Sequence, residues 1–156
     1  MTVGLSDKCV PIRTLGSYET LLSRKAPGRE SVALSHGCAV ILSSWVDMET
    51  LQGAVASVIE RHPALGAYIA RGAANDKRLS WYACDEDAPS LAGRVVTRTR
   101  QVDVVDFNEE WNMALDGSVN QAEFPDKGPL WKLENIVDRS GERSAWVFCM
   151  NHGIDV

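Results

Sequence analysis

The residues best placed to do chemistry stand at the carboxyl end of the sequence, in the stretch CMNHGIDV. His152 follows an apolar run, Gly153 leaves space beside its ring, and Asp155 stands three residues further on. Histidine titrates near neutral pH, so its imidazole can take a proton from a hydroxyl, an amine or a thiol. His152 is therefore a candidate general base. On these residues alone, the alternative is a histidine that only caps backbone groups at the end of a strand.

The other histidines and the cysteines do not indicate a second site. His36 stands in an alternating apolar segment, so we expect it in the core or in a cross-strand pair. His62 precedes Pro63 at the end of a predicted helix, where a partly positive ring complements the helix dipole. No two histidines have the i,i+4 spacing of a helical metal site, and the four cysteines show no C-x-x-C spacing. We predict reduced thiols and no metal site.

The composition is that of a soluble globular domain. The chain has 156 residues, 45% of them hydrophobic and 24% charged, which is enough to build one core. Its net charge of −5 argues against a nucleic-acid partner, because phosphate binding needs clustered Lys and Arg. No apolar stretch approaches the roughly 18 residues of a membrane span, and the first residues lack the pattern of a secretory leader. We therefore expect a cytoplasmic protein with no membrane span.

Strand and helix patterns alternate in the amino-terminal half. Residues 1–10 are expected to be poorly ordered, residues 11–16 to be extended, and Ser17 to begin a short helix. Residues 31–45 alternate like a long strand, and Asp47 then caps a helix of about four turns that ends before Pro63. Residues 65–70 and 79–84 predict a hairpin, with a polar turn over residues 73–77.

The carboxyl-terminal half ends in a second predicted hairpin. Residues 85–93 are interpreted as an acidic, solvated connection and residues 95–105 as mixed strand and loop. Residues 109–115 suit a short helix, and residues 125–129 are a breaker. Residues 130–137 and 145–150 then pair across a turn, and the second arm is apolar on both faces, which is typical of a central strand. All five tryptophans are expected in the core and in strands: Trp45, Trp81, Trp111, Trp131 and Trp146.

This order of elements predicts the fold class. This order of strands and helices along the chain favours an α+β protein, in which helices pack on a mixed β-sheet. The predicted central strand runs directly into His152. A histidine in that position would have a rigid mount at the edge of the sheet, where α/β architectures leave clefts.

Three segments carry a resemblance to a known family. The stretch IRTLGSYE is similar to an opening, Arg-Pro-Leu-Gly-x-x-Glu, that is common in its fungal acetyltransferase-like members. The stretch LQGAVASVIERHPALGAYI resembles the family's first long helix, followed by His-Pro-x-Leu and a strand. The stretch NHGID resembles its active-site His-x-x-x-Asp motif. The family is the superfamily of condensation domains and alcohol acetyltransferases, which shares the chloramphenicol acetyltransferase fold.

The resemblance implies an acyltransferase. Its members are two-lobed and transfer an acyl group from acyl-CoA, or from an acyl carrier thioester, to an acceptor such as a small alcohol, with no bound cofactor. By position, His152 would be the general base. The motif aspartate usually has a structural role, but it stands four residues after the histidine, where this chain has Val156 and places Asp155 one residue earlier. Asn151 replaces a second histidine of many condensation domains, which favours the alcohol acetyltransferase branch.

The resemblance also implies that residues 11–156 are only the amino-terminal lobe, truncated at the active-site motif. Valine codons begin with the bases that begin most introns, so Val156 could mark an unspliced intron. Without a second lobe, we expect this chain to be inactive. The alternative is a non-catalytic remnant or interaction module of the same fold. In either case an apolar face would be exposed, and self-association is expected.

Overall fold

The computed structural model describes residues 11–14, 35–71, 79–120, 124 and 127–151. The helix predicted after Ser17, the turn at 73–77 and the expectation for residues 1–10 lie outside this part of the chain. So do His152, Gly153 and Asp155. The described strands and helices, in chain order, are β1 Pro11–Thr14, β2 Ser35–Leu42, α1 Met48–Arg61, a 3-10 turn Pro63–Gly66, β3 Tyr68–Arg71, β4 Leu79–Tyr82, α2 Ala88–Val95, β5 Val96–Val102, α3 Phe107–Asn120, β6 Trp131–Asp138 and β7 Ser144–Asn151.

The described strands form two sheets. One has three antiparallel strands in the order β1-β4-β3, and the other has four strands in the order β2-β7-β6-β5. Both predicted hairpins are confirmed, since β3 pairs with β4 and β6 pairs with β7. In the larger sheet β5 runs parallel to β6, whereas the other pairs are antiparallel. The predicted α+β fold with a mixed sheet is therefore confirmed.

The strand β7 is the central buried strand that the sequence predicts. It pairs with β2 on one side and with β6 on the other. Ala145, Val147 and Cys149 point to one face, where each is almost fully buried. Trp146 and Phe148 point to the other face and pack against the main core. Apolar side chains on both faces require cover on both faces, and three helices provide it.

The helix α1 covers one face of the larger sheet. Asp47 accepts a hydrogen bond from the Thr50 amide at 2.8 Å, and the helix ends at His62, as predicted. Its buried stripe is Leu51, Val55, Ala56 and Ile59, and it packs on Trp131 and Leu133 of β6. These contacts fix the helix on the side of the sheet that carries Trp146 and Phe148.

The prediction of a loop at residues 85–93 is wrong, because α2 begins there. Asp87 caps this helix by accepting a hydrogen bond from the Ser90 amide at 2.9 Å, and Pro89 stands in its first turn. Pro is favoured in that turn because its missing N–H has no partner there in any case. Leu91, Ala92 and Val95 are buried beside α1.

The helix α3 covers the opposite face and extends well beyond the predicted residues 109–115. Phe107, only 1% exposed, anchors its first turn against Val102, Ile136 and Ala145. Its last turn reaches β2, where the Ser35 hydroxyl donates a hydrogen bond to the Val119 carbonyl at 2.9 Å. The helix therefore crosses the sheet from β6 towards β2.

The turn of the β6–β7 hairpin is held by one buried carboxylate. Asp138, 1% exposed, accepts hydrogen bonds from the Ser140 hydroxyl at 2.7 Å and from Arg143 Nε at 2.9 Å. These hydrogen bonds hold the pKa of Asp138 below its ordinary value, and the bond from Ser140 has the largest effect. Gly141 in the same turn has a φ of 75°, which favours glycine. The turn fixes the register of β7 against β6.

One sequence expectation about the core is wrong. Trp45 is 50% exposed, because it lies in the connection between β2 and α1. Val40 and Ile41 of β2 are also exposed, at 42% and 49%. In the part of the chain that the structure describes, β2 is an edge strand of the larger sheet. Within the same part, no helix is long and apolar enough to cross a membrane.

Gly37 tests how closely α3 lies on the sheet. A Cβ at this position would come within 2.8 Å of the Phe148 carbonyl oxygen and of side chains at Leu115 and Val119. The carbonyl belongs to the paired strand β7 and cannot move away, so we expect Gly37→Ala to lower the free energy of unfolding by about 2 kcal/mol. Denaturant unfolding measures this. The matched control is Gly53→Ala in α1, where a Cβ meets nothing within 4 Å and a stabilisation of up to about 1 kcal/mol is expected. Equal effects at both positions would contradict this packing.

Candidate functional site

The described part of the candidate site ends at Asn151, the last residue of β7. Asn151 is 7% exposed, lies opposite Ser35 of β2, and donates its amide to the Leu130 carbonyl at 2.8 Å. The strand is thus paired on both sides up to its last residue. His152, Gly153 and Asp155 lie beyond the described residues, so their predicted roles stay predictions. The structure does describe the strand from which they continue, and that strand is held by hydrogen bonds along both of its edges.

A groove of about 480 Å³ lies between α3 and the sheet, close to this strand end. Its floor is formed by side chains of β5, β6 and β7, and its wall by one side of α3. The wall residues Ala114, Gly117 and Ser118 are small. Because α3 crosses diagonally towards β2, it leaves the adjoining parts of β5 and β6 uncovered. The groove occupies that uncovered region.

Charged residues form a network along the floor of the groove. The Glu134 carboxylate, whose side chain is 10% exposed, accepts hydrogen bonds from Arg98 Nη2 at 3.1 Å and from Arg100 Nε at 3.2 Å. Arg100 also pairs with Glu110 of α3, which ties the helix to β5. Every member of this network therefore has an opposite charge beside it. That arrangement offsets part of the cost of placing ions between a helix and a sheet.

Cys149 lies at the bottom of the groove, two residues before the end of β7. Its thiol donates a hydrogen bond to the Ser118 carbonyl at 3.0 Å. Burial raises the pKa of Cys149 above its ordinary value, although a hydrogen bond with the Ser35 side chain and, to a smaller extent, the charge of Lys132 act in the opposite direction. The thiolate is the nucleophilic form, so a buried thiol with a raised pKa is a poor nucleophile. Cys149 therefore contributes shape and a hydrogen bond to the groove, not covalent chemistry.

The remaining predicted residues are placed away from this groove. His36 lies in β2 opposite Met150, so the expected cross-strand position is confirmed. His62 is the exposed C-terminal cap of α1, also as expected. Cys38 is exposed and Cys84 is partly buried, and no disulfide joins the described cysteines. Within the described ranges, no group of three or more His, Cys, Asp or Glu residues is arranged to hold a metal ion.

The sequence did not reveal the groove. Its residues come from four separate elements, and they meet only because β5 pairs in parallel with β6. One signal was present: Arg98 and Arg100 alternate along a predicted strand, and Glu134 stands in another. An alternation of basic residues facing one acidic residue indicates a polar strip on a sheet face.

The raised pKa of Cys149 gives a prediction for thiol reactivity. We compare two variants that each keep one described cysteine, Cys149 or Cys38, with the other three replaced by serine. At pH 8 we expect the buried Cys149 to react with iodoacetamide at least about tenfold more slowly than the exposed Cys38. Mass spectrometry of the alkylated protein measures both rates.

The same shift affects stability. The folded state holds the Cys149 proton more tightly than the unfolded chain does. The protonated thiol therefore contributes fully to the free energy of unfolding below the ordinary thiol pKa of 9.0, and this contribution is lost as the pH rises through the raised pKa. Cys149→Ala should remove that alkaline loss. Alkylation of Cys149 as fast as Cys38 would contradict a buried, protonated thiol.

Comparisons with known proteins give matches of structure and none of sequence. No protein-family profile matches the chain, and no curated protein matches it. The first condensation domain of the calcium-dependent antibiotic synthetase, solved with a substrate analogue, has a TM-score of 0.66 and 15% identity, over 90% of this chain and 34% of that one. The condensation domain of the monacolin K polyketide synthase MokA has a TM-score of 0.64 and 16% identity, over 94% and 30%.

A third match comes from another polyketide synthase. The condensation domain that mediates chain release from the enacyloxin synthase has a TM-score of 0.56 and 17% identity, over 97% of this chain and 28% of that one. The chain thus spans about a third of the length of the solved structures it matches. Over nearly all of its residues, this chain has part of the condensation-domain fold.

Proposed function

We propose that this chain is the histidine-bearing part of an acyltransferase, which transfers an acyl group from a CoA thioester to an alcohol hydroxyl with His152 as general base. The observation that supports it most is the position of β7. This strand is central in a condensation-domain fold, it is paired on both sides up to Asn151, and His152 follows it directly. The thioester would be a co-substrate, and no bound cofactor takes part.

The proposed reaction needs one proton acceptor. The imidazole of His152 takes the proton of the alcohol while the alcohol oxygen attacks the thioester carbonyl, which forms a C–O bond. The tetrahedral intermediate then collapses and the C–S bond breaks. The imidazolium returns the proton to the leaving sulfur, so the products are an ester and a thiol, and the histidine is regenerated. Gly153 leaves room for the acceptor, and Asp155 would hold the chain beyond the strand.

A base on a strand end also needs its substrates held in place. Orientation of two reactants contributes a large share of such a rate enhancement, up to about 7–11 kcal/mol. This chain spans about a third of the condensation domains it matches. We therefore propose that the thioester and the alcohol are brought together only when the rest of the fold is present, and that residues 1–156 alone do not turn over.

The test has two stages. Sequencing the transcript shows whether it continues in frame beyond Val156 into a second lobe, and the longest product is then expressed. With acetyl-CoA and a panel of alcohols, we expect His152→Ala to lower the rate of thiol release by about 10²- to 10⁴-fold, because the general base is lost. The matched control is His62→Ala, an exposed histidine at the end of α1, which should change the rate less than twofold.

Residues 1–156 alone should show only the background rate, with or without His152. A longer product whose activity survives His152→Ala would refute the histidine as base. A transcript that encodes no second lobe would refute the acyltransferase in favour of the second candidate function.

The second candidate is an interaction module, and the position of β2 as an edge strand among the described strands favours it. This strand is eight residues long, SHGCAVIL, with no Lys, Glu, Asp, Arg or Pro to protect its edge. Val40 and Ile41, which point to opposite faces, are 42% and 49% exposed. An unprotected apolar edge strand is a template for pairing with another chain. We therefore propose self-association through β2.

A single charge on this strand tests the proposal. Val40→Lys should shift the protein from dimer or larger species to monomer at a concentration of about 50 µM, because a lysine on an edge strand opposes pairing. Sedimentation velocity measures the distribution. The control is Val58→Lys, an exposed valine on α1 at 42%, which should leave the distribution unchanged. A wild-type chain that is already monomeric would rule out association through β2.

A further inference from the structure

The groove between α3 and the sheet is positively charged on an acidic protein. The chain as a whole has a net charge of −5. The groove is nevertheless lined by two cations, Arg98 and Lys132, and by one anion, Glu134. Glu134 is already shared between Arg98 and Arg100, so its charge is balanced inside the network. The local excess of positive charge therefore resides on Lys132.

Lys132 is placed to receive an anion. Its ammonium lies 5.5 Å from the centre of the Phe124 ring, and no carboxylate of a described residue forms an ion pair with it. The ammonium is also close enough to Cys149 to lower that thiol's pKa, against the larger effect of burial. Lys132 therefore lines the groove with its charge on the side of Cys149.

The rest of the lining combines apolar side chains with small polar ones, Thr97 and Ser118. Met113 of α3 stands at the rim and is 60% exposed, which is unusual for a large apolar side chain. The partly buried Ala114 continues this surface towards the floor of the groove. An exposed apolar wall next to a cation matches a ligand with an apolar body and an anionic end. The volume of about 480 Å³ is within the range of small-molecule sites.

We propose that this groove binds a linear aliphatic chain that ends in a carboxylate or a phosphate, with the anionic group at Lys132 and the chain along Met113 and Ala114. Binding is non-covalent, because the Cys149 thiol is held protonated and is occupied by the Ser118 carbonyl. The proposal does not depend on His152, so the site can exist in an acyltransferase and equally in an interaction module.

The binding experiment uses NMR chemical-shift titration of the whole chain with soluble aliphatic probes. Hexanoate, octanoate and decanoate test chain length, octyl phosphate tests the other anionic group, and octanol and octylamine test the charge. We expect octanoate to bind with a Kd on the order of 1 mM and each added methylene to lower the Kd about threefold. Octanol and octylamine should bind at least about tenfold more weakly than octanoate. The relative Kd of octanoate and octyl phosphate identifies the preferred anionic group.

Two variants test whether the ligand binds in the groove. Lys132→Gln should weaken octanoate binding about tenfold, and it should remove the difference between octanoate and octanol. Gly117→Leu should abolish binding by filling the groove, since open space surrounds a Cβ at Gly117. The matched control is Gly53→Leu, a position in α1 that is equally open and distant from the groove. It should bind octanoate as the wild type does.

Specific outcomes would overturn the proposal. These are no saturable binding of any anionic probe, equal affinity for octanol and octanoate, or full binding by Gly117→Leu. Circular dichroism of each variant checks that the fold is retained. The octanoate titration measures binding in the groove and the thiol-release assay measures turnover, so failure of the groove and failure of the proposed acyl transfer give different results.

Discussion

Burial of β7 on both faces is the constraint on which the rest of this structure depends. A strand with apolar side chains on both sides is stable only when each face is covered and each edge is paired. Here β2 and β6 pair with its edges, α1 and α2 cover the face with Trp146, and α3 covers the face with Val147. The hairpin turn at Asp138 then sets which residue lies at the strand's far end. The position of Asn151, the last described residue of the strand, is therefore a consequence of core packing.

Local signals made part of this fold predictable. Asp47 as a helix cap, the apolar stripe of α1 and the two hairpins all depend on residues close together in sequence, and the structure confirms them. The helix α2 was missed because Pro89 and Gly93 were interpreted as loop residues. The cap at Asp87 and the buried Leu91 show that the same residues begin and line a short helix. A proline directly after a capping residue indicates the first turn of a helix, whereas the mere presence of Pro and Gly in a segment indicates a loop.

Other features could not be predicted from one sequence, for a physical reason. The strand β5, VTRTRQV, has few apolar residues because it is an edge strand whose middle is largely exposed. Its partner β6 is more than thirty residues away, and parallel pairing leaves no turn between them to recognise. The groove depends on this pairing and on the angle of α3, so apart from the alternating arginines and Glu134 its residues could not be grouped in advance. Trp45 was misplaced because its exposure depends on where the strand β2 ends.

The charges in the groove explain why α3 does not close onto β5 and β6. Closing would bury Glu134, Arg98 and Arg100 further, and the cost of removing ions from water generally equals or exceeds what their pairing returns. Apolar residues of similar size at these positions would let the helix pack down, and such replacements are often neutral or stabilising. An ion network is therefore not the only way to hold α3 on this sheet. What the network does provide is an open, polar floor beside the end of β7, held in place by Arg100 between Glu134 and Glu110.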